Sequence, residues 1–377
     1  MTNTFGLPSS VRSNMHALQL SIPALLSATS LTLAELPAPV LKPGSLLLRV
    51  RACGVCHTDL HLVEGELPAK KLPITPGHQV VATVEQVLPS PPTPGLTATP
   101  FPLSRRNFST GEGGGGWGVE GEGLKIGTRV GVPWLYSTCG VCEFCQRGQE
   151  NLCDRAQFTG WDVDGGYAEY MIADENFVVP IPEIFSDVQA APLLCAGIVG
   201  YRSLRLSEVQ RGEHLGLFGF GASAHIAIQL ARHWGCSISV FTRSSEHRAL
   251  AESLGAAWVG AAEQKPPRPL DRAIIFAPAG ELVPLALGHL RKAGTLAINA
   301  IHMRPIPEMD YNLLYGERTV RSVANATRRD AEEFMPLAAQ IPVKTEVQTF
   351  PLEEANRALL MLKRSEIKGA AVLIPTR

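Results

Sequence analysis

No run of 18 or more apolar residues occurs in the 377-residue chain, so no transmembrane helix is expected. An excess of either charge sign is also missing. Lys and Arg number 34 against 35 Asp and Glu, for a formal charge of −1, which argues against a general binder of nucleic acid or of membrane surfaces. The depletion of apolar residues that marks a disordered chain is absent too, since they make up 45%. A convincing export signal is lacking. Residues 16–36 hold an apolar stretch, but Pro23 and the scattered Ser, Thr and Gln read as two short strands, and a cytoplasmic location is expected. What is present is length for two or three domains at roughly 150 residues each, and eight cysteines.

The hydrophobic pattern changes character along the chain. Leu46–Ala52 and Gln79–Leu88 read as strands of an all-β module. Residues 89–123 open with PSPPTPG and run on through GEGGGGWGVEGEG without periodicity, which reads as a flexible surface insertion; a lid or interface arm is the alternative. After Pro192 helices and strands alternate. Ala191–Leu206 has a helical pattern, His214–Phe218 is a buried strand, Ser223–His233 a helix, Ser237–Phe241 a strand and Glu246–Leu254 a helix, and the alternation continues through Gly294–Asn299. Such a βαβ rhythm implies a parallel sheet with helices on both faces. The tail holds a strand, a helix at Leu352–Lys363 and a last strand at Ala370–Ile374.

Four cysteines fall within 15 residues, as Cys139-x2-Cys142-x2-Cys145-x7-Cys153. These gaps are too short for mutual disulfides and suit one tetrahedral ion. A shell made wholly of thiolates leaves no open position for chemistry, so the site reads as structural zinc, with free thiols or an iron–sulfur cluster as alternatives. A second set is scattered: Cys53, Cys56-His-Thr-Asp59, His61, Pro76-Gly-His78-Gln79 and Cys195. Alone, His78 reads as a structural histidine and Cys195 as an inert thiol. Together, two thiolates and an imidazole neutralise a zinc ion and leave a fourth position open.

With CGVCHTDLH, PWLYSTCGVCEFC and DGGYAEY in view, the chain resembles the zinc-dependent alcohol dehydrogenases of the medium-chain dehydrogenase/reductase superfamily, bacterial type. The resemblance implies an α/β fold: a GroES-like β-rich catalytic domain over residues 15–190, a Rossmann doubly wound parallel-sheet domain over 191–328, and a return segment over 329–377. It implies catalytic zinc on Cys56, His78 and Cys195, with Cys53 a bystander, and two zinc ions per chain. Asp59 would fix the His78 tautomer. Thr58 and His61 would relay a proton, His57 would lie by the cofactor pyrophosphate, and Trp134 and Trp161 would line the substrate channel or else serve as ordinary packing. One departure stands out: the family usually has Glu after the zinc histidine, whereas this chain has the neutral Gln79, which leaves the ion more electropositive. The partner implied is a small alcohol or aldehyde, and the assembly a homodimer or homotetramer. Polyol or cinnamyl-type substrates, or a non-catalytic NADP-binding redox protein, are the rival readings.

Gly219-Phe-Gly221-Ala222-Ser223-Ala224 follows the strand HLGLF and opens a helix, the context in which a glycine-rich turn binds a dinucleotide pyrophosphate. At the end of the next strand an NAD enzyme wants a carboxylate. Here Thr242, Arg243 and Ser244 stand there, with His247 and Arg248 beyond, so NADP(H) is expected over NAD(H): Arg243 can pair with a 2′-phosphate, and the hydroxyls add donors. His302, in the loop expected beside the nicotinamide, is open between a contact with ligand and plain exposure.

Overall fold

The strand Ser45–Val55 carries SLLLRVRACGV and is buried at all but two positions, because it has sheet neighbours on both edges and packing on both faces. In the computed structural model, which describes residues 8, 11–89 and 124–375, this strand is the centre of a seven-stranded sheet. The order is Val347–Pro351, Ala370–Ile374, Ser45–Val55, Gln79–Leu88, Arg129–Val132 and Val179–Pro180, with Tyr170–Asp174 also pairing to the central strand. The last strand of the chain pairs antiparallel with the first domain, Val372 opposite Gly54 and Leu373 opposite Cys53. The two short strands expected near the N-terminus are Asn14–Gln19 and Thr32–Pro37, an antiparallel pair. Among the described residues no helix is long and apolar enough to cross a membrane. The expected insertion at 89–123 lies, from residue 90 on, outside the described residues.

The second sheet is parallel throughout, six strands in the order Trp258–Gly260, Ser237–Phe241, His214–Phe218, Leu270–Ile275, Leu290–Ile298 and Thr319–Ser322. The period-2 alternation of its strands feeds two separate cores. Leu215, Leu217, Ile238 and Val240 pack in one with Ala227 and Phe334, while Phe218, Phe241 and Leu296 pack in the other with Val283 and Ala286. Phe218 and Phe241 stack across adjacent strands, centroids 4.1 Å apart. Sequence order reverses between His214–Phe218 and Leu270–Ile275. That reversal opens a crevice at the carboxyl ends of the strands, where ligands of doubly wound sheets bind.

Two details depart from the sequence reading. The helical pattern Ala191–Leu206 is split into a 3-10 turn, Ala191–Leu194, and an α-helix, Ala196–Leu206, with Cys195 between them at φ −129° and ψ −70°. Pro192 sits in the first turn of the 3-10 segment, where its missing N–H is not needed, and the non-helical backbone of Cys195 separates that turn from the helix. An unforeseen helix, Arg328–Gln340, forms despite Pro336 inside it. It has a full capping box, Thr327 with Asp330, and buries Ala331, Phe334, Met335 and Ala338.

The cysteine-rich lobe is fastened to this second sheet through a buried polar network. The Glu150 carboxylate accepts from the Arg328 backbone N–H at 2.7 Å and from Nε and Nη2 of its guanidinium at 3.0 and 2.7 Å. Asn151 donates to the Ala324 carbonyl at 2.6 Å, and Arg202 bridges Asn151 to the fully buried Asp330. Removing one partner of such a pair strands the other charge. Glu150→Ala is therefore expected to lower unfolding stability by about 3 kcal/mol, read from the urea midpoint, whereas an unchanged midpoint would show the clasp to be energetically idle.

Candidate active site and dinucleotide crevice

Three segments distant in sequence meet at one point. Cys56 caps the helix His57–Glu64, its Sγ accepting from the Thr58 N–H at 3.3 Å, and Gly65 ends that helix in the left-handed conformation. His78 enters from the turn before strand Gln79–Leu88, and Cys195 from the break described above. The Cys56 Sγ, a ring nitrogen of His78 and the Cys195 Sγ all lie within 4.8 Å of one another, with Cys56 Sγ 3.2 Å from His78 Nε2. A zinc tetrahedron with bonds of 2.0–2.3 Å needs ligand separations of roughly 3.5–3.8 Å, so this donor set fits the ion in both chemistry and spacing.

Asp59 organises the set. Its carboxylate, 2% exposed, accepts from the Cys56 N–H at 3.0 Å and the Gly77 N–H at 3.2 Å, and faces His78 Nδ1 at 3.1 Å. With the Nδ1 proton assigned to that contact, Nε2 presents its lone pair toward the thiols. Burial pulls the His78 pKa down, but the Cys56 and Asp59 charges together raise it well above the ordinary value. The Cys195 thiol, hydrogen-bonded to Cys56, lowers the Cys56 pKa well below that of a free thiol, which favours the thiolate a metal binds. Gly77 must be glycine: its φ is +96°, and a Cβ would sit 2.4 Å from the Tyr167 ring. Cys53 is buried outside the cluster, beside Gly77 and Gly166, and burial pushes its thiol pKa well up. Gln79 is buried with its side chain folded over Gly54, on the neighbouring strand.

The other expected residues are distributed as follows. Thr58 and His61 stand three residues apart on one helix face, and His61 Nδ1 contacts Glu66, a partner sequence reasoning missed. His57 is exposed, its ring 6.3 Å from that of His61, and exposed His302 lies with its ring 5.9 Å from that of His61. Trp134 packs 5.8 Å from the His78 ring and joins Phe158 and Trp161 in an aromatic wall, centroids 4.8 to 6.0 Å apart. Phe158 was not foreseen; its spacing in sequence carries no motif.

Cys139, Cys142, Cys145 and Cys153 also bring their sulfurs within 4.8 Å of one another, Cys142 to Cys145 at 3.5 Å and Cys139 to Cys145 at 3.9 Å. Backbone N–H groups of Val141 and Cys142 draw the Cys139 thiol down to about 6. Four thiols at these separations match a closed tetrahedral zinc shell.

At the nucleotide crevice, Gly219 has φ +84°, and a Cβ there would meet Ala277 at 2.9 Å. Gly221 has open space where a side chain would be, and begins helix Ala222–His233 with no side-chain cap, so its first N–H groups stay available to an anion. Ala222 and Ser223 form the first turn, and Ala224 is fully buried. Thr242 is buried and its carbonyl accepts from Arg248, while Arg243 is exposed and pairs with no carboxylate among the described residues. Ser244 is more committed than expected. Its hydroxyl caps the next helix by accepting from the His247 N–H and donates to Glu246, so its proton is not spare. His225, one residue past the glycine motif, is buried with Nε2 unpartnered.

Family models match residues 42–99 and 111–183 as an alcohol dehydrogenase GroES-like domain and residues 224–340 as a zinc-binding dehydrogenase, which places the chain among two-part dehydrogenases. A probable alcohol dehydrogenase, AdhA, of Mycobacterium tuberculosis is 44% identical over 96% of this chain and 97% of its own length. An alcohol dehydrogenase of Geobacillus stearothermophilus is 35% identical over 91% and 96%. A Helicobacter pylori CAD solved with NADP(H) superposes with a TM-score of 0.78 at 23% identity, over 97% of this chain and 98% of that one. The chain belongs to the zinc-type alcohol dehydrogenases of the medium-chain dehydrogenase/reductase superfamily.

Two outcomes follow from this geometry. Asp59→Asn is expected to weaken metal retention on the Cys56 set about 10- to 100-fold while leaving the four-cysteine set loaded, so zinc analysis after mild chelation should fall from two equivalents to one; equal retention would remove Asp59 from its supporting role. Desolvation, with the nearby charge of His247, holds His225 at about 4, below the free value of 6.5. The folded state thus favours neutral His225, and its stability contribution is full above the free value and lost as pH falls from there toward 4. Between about pH 7.5 and 5 the loss is about 2 kcal/mol, and a His225→Leu variant should lack that part of the slope in urea titrations.

Proposed function

We propose that the enzyme interconverts primary alcohols and aldehydes with NADP(H) as the preferred dinucleotide. The convergence of Cys56, His78 and Cys195, three ligands where a closed tetrahedral shell would take four, carries the catalytic part of this reading. When bound, zinc supplies Lewis acidity and the nicotinamide supplies or takes the hydride. The chain's own residues do the rest. With zinc bound, Cys56 and Cys195 would bring negative charge and His78 a neutral nitrogen, its Nδ1 proton held by Asp59. Thr58 takes the alcohol proton, and His61, one turn along the same helix face, carries it toward solvent. With Glu66 holding His61 Nδ1, the far nitrogen is the one free to exchange protons. In aldehyde reduction the same groups return the proton.

The wall of Trp134, Phe158 and Trp161 supports an apolar substrate, because a polyol would leave hydroxyls unpaired against it. A cinnamyl-type aldehyde is the second reading, and the same rings favour it. The preference for NADP(H) rests on Arg243, exposed and without a carboxylate partner, at a strand end where Thr242 replaces the acidic residue that would repel a 2′-phosphate. Glu246 engages Ser244 and gives no support to the phosphate.

Steady-state assays with butyraldehyde, cinnamaldehyde and a sugar aldehyde, each with NADPH and NADH at equal low concentration, test both parts. The expected result is a higher kcat/KM with NADPH, a loss of about tenfold or more of that preference in Arg243→Ala, and poor turnover of the sugar. Faster reduction with NADH would refute the cofactor assignment.

A further inference from the structure

The turn after the helix His57–Glu64 sets a carboxylate against the relay histidine. Gly65 leaves the helix at φ +79°, and the Leu67 N–H then donates back to the His61 carbonyl at 3.0 Å. That reversal brings Glu66 onto the His61 ring, with a carboxylate oxygen 2.5 Å from Nδ1. The turn is fastened from its far side as well. The Trp161 indole N–H donates to the Pro68 carbonyl at 2.9 Å, and Lys70 pairs with Asp162 at 3.1 Å while standing 4.0 Å over the Trp161 ring. Lys71 pairs with Asp164 beyond them. Backbone and aromatic wall together fix where Glu66 stands.

Nothing else in the fold claims that carboxylate. Among the described residues no lysine or arginine pairs with Glu66, and His61 is its ion-pair partner. Glu64, two residues earlier, is the contrast: it is ion-paired to Lys363 and accepts from the Leu26 N–H. An ion pair as exposed as that of Glu66 contributes little to stability, so the fold has small need of it. Exposure rises in the direction an exit requires, from 15% at the His61 side chain to 47% at Glu66. The rings of His57 and His302 stand 6.3 and 5.9 Å from that of His61, centroid to centroid, and Glu66 is the hydrogen-bond partner of its ring among the described residues.

We infer that Glu66 is the exit of the proton relay, receiving from His61 Nδ1 a proton for each one that Nε2 takes up. The assignment rests on the reading of Thr58 and His61 as a relay and extends it by one station. In alcohol oxidation an Nε2–H bond forms, the Nδ1–H bond breaks, and the Glu66 carboxylate becomes a carboxylic acid. Being half in solvent, that acid gives its proton to water, and the ring regains its first tautomer by exchange with water. Aldehyde reduction runs the same steps backward. An imidazole that receives on one nitrogen and releases from the other need not turn to deliver.

The test is single-turnover alcohol oxidation by the zinc-loaded enzyme, run with NADP+ and with NAD+, on wild type, Glu66→Gln and Glu66→Ala. Glutamine keeps an oxygen that accepts from Nδ1, so it holds the ring in place but cannot take the proton. Both variants are expected to form reduced dinucleotide about tenfold more slowly than wild type. In both, the solvent deuterium effect on that rate should grow and the effect of deuterated alcohol should shrink, because proton removal becomes the slow step. Acetate should restore the Ala variant toward wild type, and chloride at equal ionic strength should not. A Gln variant with the wild-type rate and isotope effects overturns the assignment and leaves Glu66 a holder of the ring. A slow Ala variant that acetate helps no more than chloride overturns it too. His61→Asn at the wild-type rate would instead remove the relay on which the assignment rests. If wild type forms no reduced dinucleotide with either cofactor, the dehydrogenase reading itself falls.

Discussion

The Asp59 carboxylate, sealed from water, gathers the backbone of Cys56, the backbone of Gly77 and the ring of His78 onto two oxygens. Those three contacts tie the start of a helix to a turn about twenty residues later and hold two of the three metal-binding side chains in fixed relation. The third, Cys195, is brought in by the non-helical residue position between a 3-10 turn and the helix Ala196–Leu206. A buried carboxylate is tolerable only because every contact it makes is a donor. The metal-ligand geometry, the start of the helix bearing Thr58 and His61 and the place of His78 beside the aromatic wall all depend on that arrangement.

The four-cysteine lobe is more than a separate staple. Between Cys145 and Cys153 it presents Glu150 and Asn151, and these grip the loop Ala324 to Arg328 that borders the crevice. A lobe that is rigid when its thiols are closed around an ion thus braces the loop bearing Asn325 and the helix beginning at Arg328. Arg202, on the helix that follows Cys195, joins the same network through Asp330. The four-cysteine lobe and the helix that follows Cys195 are linked here by hydrogen-bonded charges at fixed positions, not by proximity alone.

Much of this was legible in the chain. The four-cysteine spacing, the Cys-His-Thr-Asp run and the glycine turn after HLGLF are local patterns with local physical reasons, and the strands at His214–Phe218, Ser237–Phe241 and Ala370–Ile374 lie where their apolar runs place them. Other elements left no such mark. The edge strand Thr319–Ser322 is exposed at every position and so has no alternation to read. The helix Arg328–Gln340 carries a proline and enough charge to obscure its apolar stripe. Ser244 offers a hydroxyl in sequence, but folding commits its proton to Glu246.

Sequence by itself determined the kinds of chemistry available: thiolates and an imidazole in ligand spacing, a carboxylate three residues past a cysteine, a turn with room for phosphate, and a threonine followed by an arginine where an acid would favour the unphosphorylated cofactor. These are properties of residue type and short-range spacing, which the local backbone turns into geometry without outside help. Only the tertiary structure decided which of those groups meet. That Cys195 faces His78, that Phe158 joins Trp134 and that Asn151 holds the Ala324 carbonyl are outcomes of sheet pairing and domain packing. They depend on contacts between segments tens to hundreds of residues apart, and no local pattern encodes such contacts.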